Sequence, residues 1–207
     1  MIIKNGLIYD TEKRVFIKKD IRVSEGVISD LSRATAGEEV FDAEGYAVVP
    51  GLIDVHTHGR IGYEFTDCPD EKLHEVARSY AELGVTTVMP TLASAPFPKM
   101  LEAIRLLSEY TAGTGEANFC GVHVEGRYLN VKKRGAHAES LLAALDPREL
   151  ENEVFRMCPR LHISAAFELD DGSFARKALS IGATLGLAHT AATYAEAKRA
   201  EEWGIRS

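Results

Sequence analysis

Cysteine is scarce in this 207-residue chain: Cys68, Cys120 and Cys158 are dispersed and none stands in C-x-x-C spacing. An odd, scattered set does not build a disulfide frame and suits free thiols in a reducing compartment, so a cytoplasmic location is expected. Long basic blocks are missing and the net charge is −7, which argues against a nucleic-acid backbone as partner. No stretch approaches the ~18 uninterrupted apolar residues of a membrane span, so no membrane partner is expected. The opening Met1-Ile2-Ile3-Lys4-Asn5-Gly6 lacks a signal-peptide pattern. What remains is an ordinary globular composition, 45% hydrophobic and 27% charged, enough to bury a sizeable core.

Helical periodicity is absent from residues 1–49. Ile3, Leu7 and Tyr9, then Ile17, Ile21 and Val23, then Val27, Ile28 and Leu31 have the spacing of short strands, with turns at Gly6, Ser24-Glu25-Gly26 and Ala36-Gly37. This stretch is expected to form a small β-sandwich module, and residues 50–207 a second domain. There the pattern changes to alternating strand and helix. The apolar run entering Pro50–Gly59 reads as a buried strand with a polar tip. Thr86–Thr91, Asn118–Glu125, Arg160–Glu168 and Ala183–His189 read as four more strands. Between them, Leu73, Val76, Ala77 and Tyr80 share a helical face ended by Gly84; Leu101, Ile104 and Leu107 stripe a second helix. Phe174, Ala178 and Ile181 line a third, closed by Gly182. Asp146-Pro147-Arg148-Glu149 and Thr193-Tyr194-Ala195-Glu196 are capping-box sequences opening further helices.

Such alternation argues a parallel sheet with crossover helices. Five strands amount to about 31 residues per βα unit, whereas a closed barrel wants eight units and ~250 residues. No Gly-rich phosphate fingerprint follows the first strand, which weighs against an open doubly wound nucleotide fold. The expected fold is therefore α/β: a TIM-type (β/α)8 barrel truncated after about five units and preceded by the β-sandwich module.

Chemistry in such a barrel gathers at the C-terminal ends of its strands. In Asp54-Val55-His56-Thr57-His58 the alternation of a strand points Asp54, His56 and His58 the same way, and two imidazoles two residues apart can converge on one or two divalent ions. Glu125 ends the third strand, where Gly126 leaves room for close approach, and His189 ends the fifth. A carboxylate there could bridge two cations or anchor one. His123 shares the parity of Glu125 and is read as facing inward without ligating. The loop after Glu125 carries Lys132-Lys133-Arg134, read as a solvated charge run, and His137, which could reach a substrate hydroxyl or carbonyl. His74 and His162 are read as structural. A metal site of this kind performs hydrolysis, since a divalent ion lowers the pKa of bound water to about 7 and polarises a carbonyl. No carboxylate at a strand end stands out as the proton shuttle.

These residues resemble the amidohydrolase superfamily and, within it, the N-acetylglucosamine-6-phosphate deacetylases. Pro50-Gly51-Leu52-Ile53-Asp54-Val55-His56-Thr57-His58-Gly59 is similar to the metal-binding first strand. Gly121-Val122-His123-Val124-Glu125-Gly126 with Leu129-Asn130 and Lys133-Arg134-Gly135-Ala136-His137 is similar to the metal-glutamate segment and substrate loop. Ala188-His189-Thr190-Ala191-Ala192 is similar to the metal-histidine segment.

The resemblance implies a divalent metal, zinc first with iron or another divalent ion as alternatives, one or two per site. Glu125 and His189 would be ligands, His56 and His58 would hold a second ion where two are used, and Ala136 and His137 would contact the sugar. It implies removal of the acetyl group from N-acetylglucosamine 6-phosphate in amino-sugar catabolism. The partners implied are a phosphorylated N-acetyl amino sugar and either a second copy of the chain or a complementing C-terminal polypeptide. Three departures stand out: Arg127 where proline is usual, Thr190 where serine is common, and Phe167 in place of the proline of Ala-Pro-Glu. The family's catalytic aspartate and a further metal histidine are expected beyond Ser207, so no catalytic residue is assigned. The alternatives are an amidohydrolase acting on another N-acyl or cyclic amide substrate, and a non-catalytic metal-binding fragment.

Overall fold

A computed structural model describes residues 1–29, 31 and 36–207. Residues 30 and 32–35, within the stretch read as strands and turns, lie outside the described residues. The chain divides into two compact units, Met1–Gly51 and Leu52–Ser207.

Among its described residues the first unit holds seven short strands: β1 (Ile2–Lys4), β2 (Leu7–Asp10), β3 (Val15–Lys18), β4 (Ile21–Ser24), β5 (Val27–Ser29), β6 (Val40–Asp42) and β7 (Ala47–Val48). They form a four-stranded sheet, β5-β4-β1-β6, and a three-stranded sheet, β3-β2-β7. Its apolar interior is small: Ile2, Ile8, Ile21 and Ala43 are buried, while Phe16, Val27, Ile28, Val40, Phe41 and Tyr46 stand exposed.

The second unit is built on parallel strands β8 (Leu52–Thr57), β11 (Val85–Leu92), β12 (Asn118–Phe119), β13 (Val122–Glu125), β14 (Leu161–Ala165) and β15 (Thr184–Leu187), with a small antiparallel pair, β9 (Gly59–Arg60) and β10 (Tyr63–Glu64), after β8. The pairing order β8-β11-β13-β14-β15 makes a curled parallel sheet like part of a barrel. Helices α1 (Leu73–Ala81), α2 (Phe97–Glu109), α3 (Val154–Met157), α4 (Ser173–Ser180) and α5 (Tyr194–Glu202) connect or follow the strands. None of the helices among the described residues is long and apolar enough to cross a membrane.

Alternation along the strands sorts the two faces. Val88, Leu92, Val122, Val124, Ile163 and Leu185 are buried in one cluster with Val76 and Ala77 of α1, Met100 and Ile104 of α2 and Phe174 and Ala178 of α4. Thr91, His123, Glu125 and Ser164, at the intervening positions, are buried polar residues. The helices thus cover one face, and the polar residues line the other.

Four expectations need correction. The first strand is not buried: Leu52, Ile53 and Val55 are 59%, 67% and 61% exposed, because β8 is an edge strand that pairs with β11 alone among the described strands. The third strand is broken at Cys120-Gly121, so β12 and β13 pair with separate parts of β11; there Gly121 lies so close to Arg160 that a Cβ would sit 2.1 Å from its carbonyl oxygen. The fourth strand ends at Ala165, and Phe167–Leu169 is a 3-10 turn. Asp146-Pro147-Arg148-Glu149 forms no capping box: Asp146 binds the Arg148 backbone N–H and guanidinium, and only a 3-10 turn, Glu149–Glu151, follows. The Thr193/Glu196 capping box is present and opens α5. The ladder between β8 and β11 shifts register near Pro90, which has no N–H to give to it.

Candidate metal centre

Because the strands are parallel, their C-terminal ends open on one side, and residues far apart in sequence meet there. His56 lies in β8 and His58 just beyond it; Glu125 is the last residue of β13; His189 stands two residues past β15. His56 Nε2 is 3.3 Å and His58 Nε2 is 2.9 Å from Glu125 Oε2. His189 Nε2 is 3.0 Å from Glu125 Oε1. His137 arrives from the loop, its ring 4.9 Å from that of His189 between centroids. Two groups of potential ligands therefore share Glu125: His56-His58-Glu125 and Glu125-His137-His189, each with its ligand atoms within 4.8 Å of one another.

Burial by itself would push the Glu125 carboxyl up. The hydrogen bond with His58, the charge on His56 and the hydrogen bond with His189 outweigh it and hold the group at about 2. His58 is raised, mainly through its hydrogen bond with Glu125 and against its own burial. Glu125 is thus an ionised, buried carboxylate whose two oxygens face imidazoles on opposite sides.

The donor chemistry is that of a cation site. His189 Nδ1 is 2.9 Å from the Lys133 carbonyl oxygen, which can only accept, so Nδ1 carries the ring proton. In the neutral ring the Nε2 lone pair then faces a carboxylate oxygen 3.0 Å away. Two lone pairs at that separation repel unless a proton or a metal ion lies beside both. Ligand atoms ~2.0–2.2 Å from one tetrahedral divalent ion stand roughly 3.3–3.6 Å apart, within a few tenths of an ångström of the 2.9 to 3.3 Å between these nitrogens and oxygens. The residues present fit a divalent ion.

A surrounding layer holds them in place. His189 has the left-handed backbone conformation, φ 45°, and its carbonyl accepts the Asn130 N–H at 3.1 Å. Glu168 ties down the following residues: it accepts from the Thr190 hydroxyl, from the Ala191 N–H at 2.8 Å and from Asn130 Nδ2 at 2.9 Å. Burial pushes its carboxyl up, but the Thr190, Ala191 and Asn130 donors prevail and lower it. Asp54 Oδ1 accepts the His56 N–H at 3.1 Å.

His123 is buried one layer deeper, with Nε2 2.8 Å from Ser164 Oγ and Nδ1 3.3 Å from Thr91 Oγ1. Burial, then the charges of His162 and His56, bring it down to about 4, so it is a neutral ring that spans β11, β13 and β14. His162 lies beside it on β14, its ring 4.6 Å from His123 and its Nδ1 2.9 Å from Thr184 Oγ1. His74 lies elsewhere, bound to Glu116 at 2.8 Å. Ala136 is exposed and lines an open cleft of about 440 Å³ with His58, Ser94 and His137. In the basic run, Lys132 and Lys133 are exposed, whereas Arg134 turns back to the His137 carbonyl at 2.7 Å. Sequence reading gave no role to Thr91, Ser94, Ser164 or Glu168. All four stand at or just past strand ends, which was the available signal.

The chain matches known proteins over most of its length. It is 31% identical over 150 residues to the N-acetylglucosamine-6-phosphate deacetylase of Vibrio furnissii, covering 68% of this chain and 38% of that one. It is 26% identical over 197 residues to the N-acetylgalactosamine-6-phosphate deacetylase of Escherichia coli O157:H7, 94% of this chain and 52% of that one. The crystal structure of N-acetylglucosamine-6-phosphate deacetylase from Pasteurella multocida superposes with a TM-score of 0.81 at 26% identity, covering 99% of this chain and 54% of that one. This chain is a relative of the N-acetylglucosamine-6-phosphate deacetylases. It spans from 38% to about half the length of these relatives. No protein-family model matches it.

Proposed function

We propose that this chain carries the first part of the metal site of an amide hydrolase that removes the acetyl group from an N-acetylhexosamine 6-phosphate. The observation that carries the reading is Glu125, whose two oxygens face His56 and His58 on one side and His189 on the other at 2.9 to 3.3 Å. His56, His58, Glu125 and His189 would hold one or two divalent ions, zinc or iron, with Glu125 anchoring or bridging. Bound there, such an ion polarises a scissile carbonyl and lowers the pKa of water to about 7.

The chain's own residues have other tasks. Glu125 supplies the anionic charge that makes the pocket attractive to a cation. The Lys133 carbonyl and Glu168 keep His189 aimed at it. Ala136 and His137, on the open cleft beside His58, would receive the sugar. The proton shuttle is not among the described groups at the strand ends. We assign it to further polypeptide that adds the missing βα units of a (β/α)8 barrel, and that would also cover Leu52, Ile53 and Val55 on β8. The half-length coverage of the relatives and the exposure of this edge support that arrangement. Residues 1–49 would then be part of a β-sandwich module.

Metal content decides the central claim. Zinc-loaded, dialysed protein should retain stoichiometric metal by inductively coupled plasma mass spectrometry, and Glu125→Ala should not. Stoichiometric metal in Glu125→Ala refutes the site. For the substrate, acetate release from N-acetylglucosamine 6-phosphate and N-acetylgalactosamine 6-phosphate is compared with hydrolysis of cyclic ureides, with and without a complementing C-terminal polypeptide. Turnover of ureides alone overturns the amino-sugar assignment.

A further inference from the structure

His137 and His189 meet edge to face, their ring centroids 4.9 Å apart, yet they are wired in opposite senses. His189 gives its Nδ1 proton to the Lys133 carbonyl. His137 Nδ1 instead lies 3.3 Å from the Ser94 backbone N and 2.9 Å from Ser94 Oγ. A backbone N–H can only donate, so His137 Nδ1 accepts, and the neutral ring carries its proton on Nε2. The hydroxyl obeys the same logic. Ser94 Oγ accepts the Arg127 N–H at 2.9 Å, which leaves its own hydrogen free to point at Nδ1.

Ser94 is held firmly enough for this to matter. It packs against Gly126, where a Cβ would sit 2.4 Å from Ser94 N and where φ is +154°. The next residue, Arg127, has φ 52°, a value closed to proline, and donates an N–H that proline lacks. The Arg127 side chain fixes this turn from outside through Glu149 at 2.8 Å, and Tyr128 OH donates to the same carboxylate at 2.7 Å. The substitution of arginine at this position and the anchoring of Ser94 are thus one arrangement.

We propose that Ser94 is a positioning residue that locks His137 as its Nε2–H tautomer, so that His137 presents a hydrogen-bond donor to the cleft and does not ligate metal. Proximity alone would allow His137 as a third ligand beside Glu125 and His189; a nitrogen that carries a proton has no lone pair to give. The ring facing the cleft can serve a carbonyl or hydroxyl oxygen of a bound molecule. The claim about what it serves rests on the proposed hydrolase site; the claim about its tautomer does not.

The test uses the full chain labelled with 15N-histidine, read by long-range 1H–15N correlation at alkaline pH, metal-free and after zinc addition, with His137 assigned from the His137→Gln spectrum. His137 should show a protonated Nε2 and a bare Nδ1 in both states, while the His189 Nε2 resonance moves on zinc addition. Ser94→Ala should move the Nδ1 resonance toward that of an unbonded lone pair, and Ser94→Thr should restore it. Zinc affinity should stay within about threefold of wild type in His137→Gln and Ser94→Ala and fall at least tenfold in His189→Gln. A proton on Nδ1 of His137, a zinc-induced shift of its ring nitrogens, or loss of zinc in His137→Gln overturns the proposal. If no zinc binds at all, the metal reading falls while the metal-free spectrum still decides the tautomer.

Discussion

Two carboxylates in this molecule are both held well below the usual carboxylate range, and they have opposite meanings. Glu116, in the segment between α2 and β12, and Glu125, at the end of β13, are both held at about 2. Glu116 is surrounded by a mixed set of donors: His74 Nδ1 at 2.8 Å, Arg78 at 3.0 Å, the Tyr110 hydroxyl at 3.0 Å and the Gly113 N–H at 2.8 Å. The hydrogen bond with His74 is the largest cause of its depression. A guanidinium, a hydroxyl and an amide satisfy a carboxylate with no further ion, so Glu116 is a structural clasp between α1 and the segment that leads into β12. Glu125 faces three imidazoles, and at least one of them turns a lone pair toward it. A low carboxylate pKa does not by itself mark a functional site. The kind of partner does, because donors that carry their own protons complete a carboxylate, whereas a ring lone pair turned toward it calls for a proton or a metal ion between them.

That difference can be broken experimentally. The largest effect belongs to Glu125→Gln, which removes the charge but keeps the shape: divalent-ion affinity should fall by about two orders of magnitude or more in isothermal titration calorimetry, beyond the ~10–100-fold typical of an outer-layer partner. Unchanged affinity would make the imidazole cluster a hydrogen-bond network and nothing else. Glu168→Ala tests the outer layer, since Glu168 braces Thr190, Ala191 and Asn130 and so aims His189. Its metal affinity should drop about 10–100-fold while the protein stays folded.

Glu116→Gln should leave metal affinity untouched and cost about 1–3 kcal/mol of stability in urea unfolding, the penalty for weakening charge-assisted bonds to a largely buried group. Metal loss in this variant would blur the contrast between the two carboxylates. The smallest effect is in its pH dependence. Glu116 has a folded value below its ordinary 4.5, at about 2, so its contribution is complete above pH 4.5 and is lost as pH falls toward 2. The stability gap between wild type and Glu116→Gln should narrow as pH falls through that window. A gap that widens on acidification has the wrong sign for this clasp.

How much of this was readable beforehand differs between the two sites. His56, His58, Glu125 and His189 were legible because alternation along a strand and the common end of a parallel sheet are periodic properties. Glu116 was invisible: its partners come from a helix, a turn and a loop with no shared spacing, and His74 showed only as a histidine on a helix. Ser94 stood just past a strand end and carried no motif of its own, and Glu168 was seen only as the last residue of the segment that resembles Ala-Pro-Glu, with no role attached. The expectation of a buried first strand failed for a related reason. An apolar run records that a strand is suited to burial, while the cover on Leu52, Ile53 and Val55 depends on what lies beside the sheet edge.

The order of residues alone settled the alternation of strand and helix, the apolar face the helices cover, and the side of each strand on which the imidazoles and Glu125 stand. These follow from local geometry, the two-residue period of a strand and the turn of a helix. Only the tertiary structure decided which nitrogen of each ring carries the proton, because that choice is made by a carbonyl at Lys133 and a hydroxyl at Ser94, each more than forty residues away from the ring it controls. Hydrogen-bond direction is a property of the partner, and the partner is chosen by the fold.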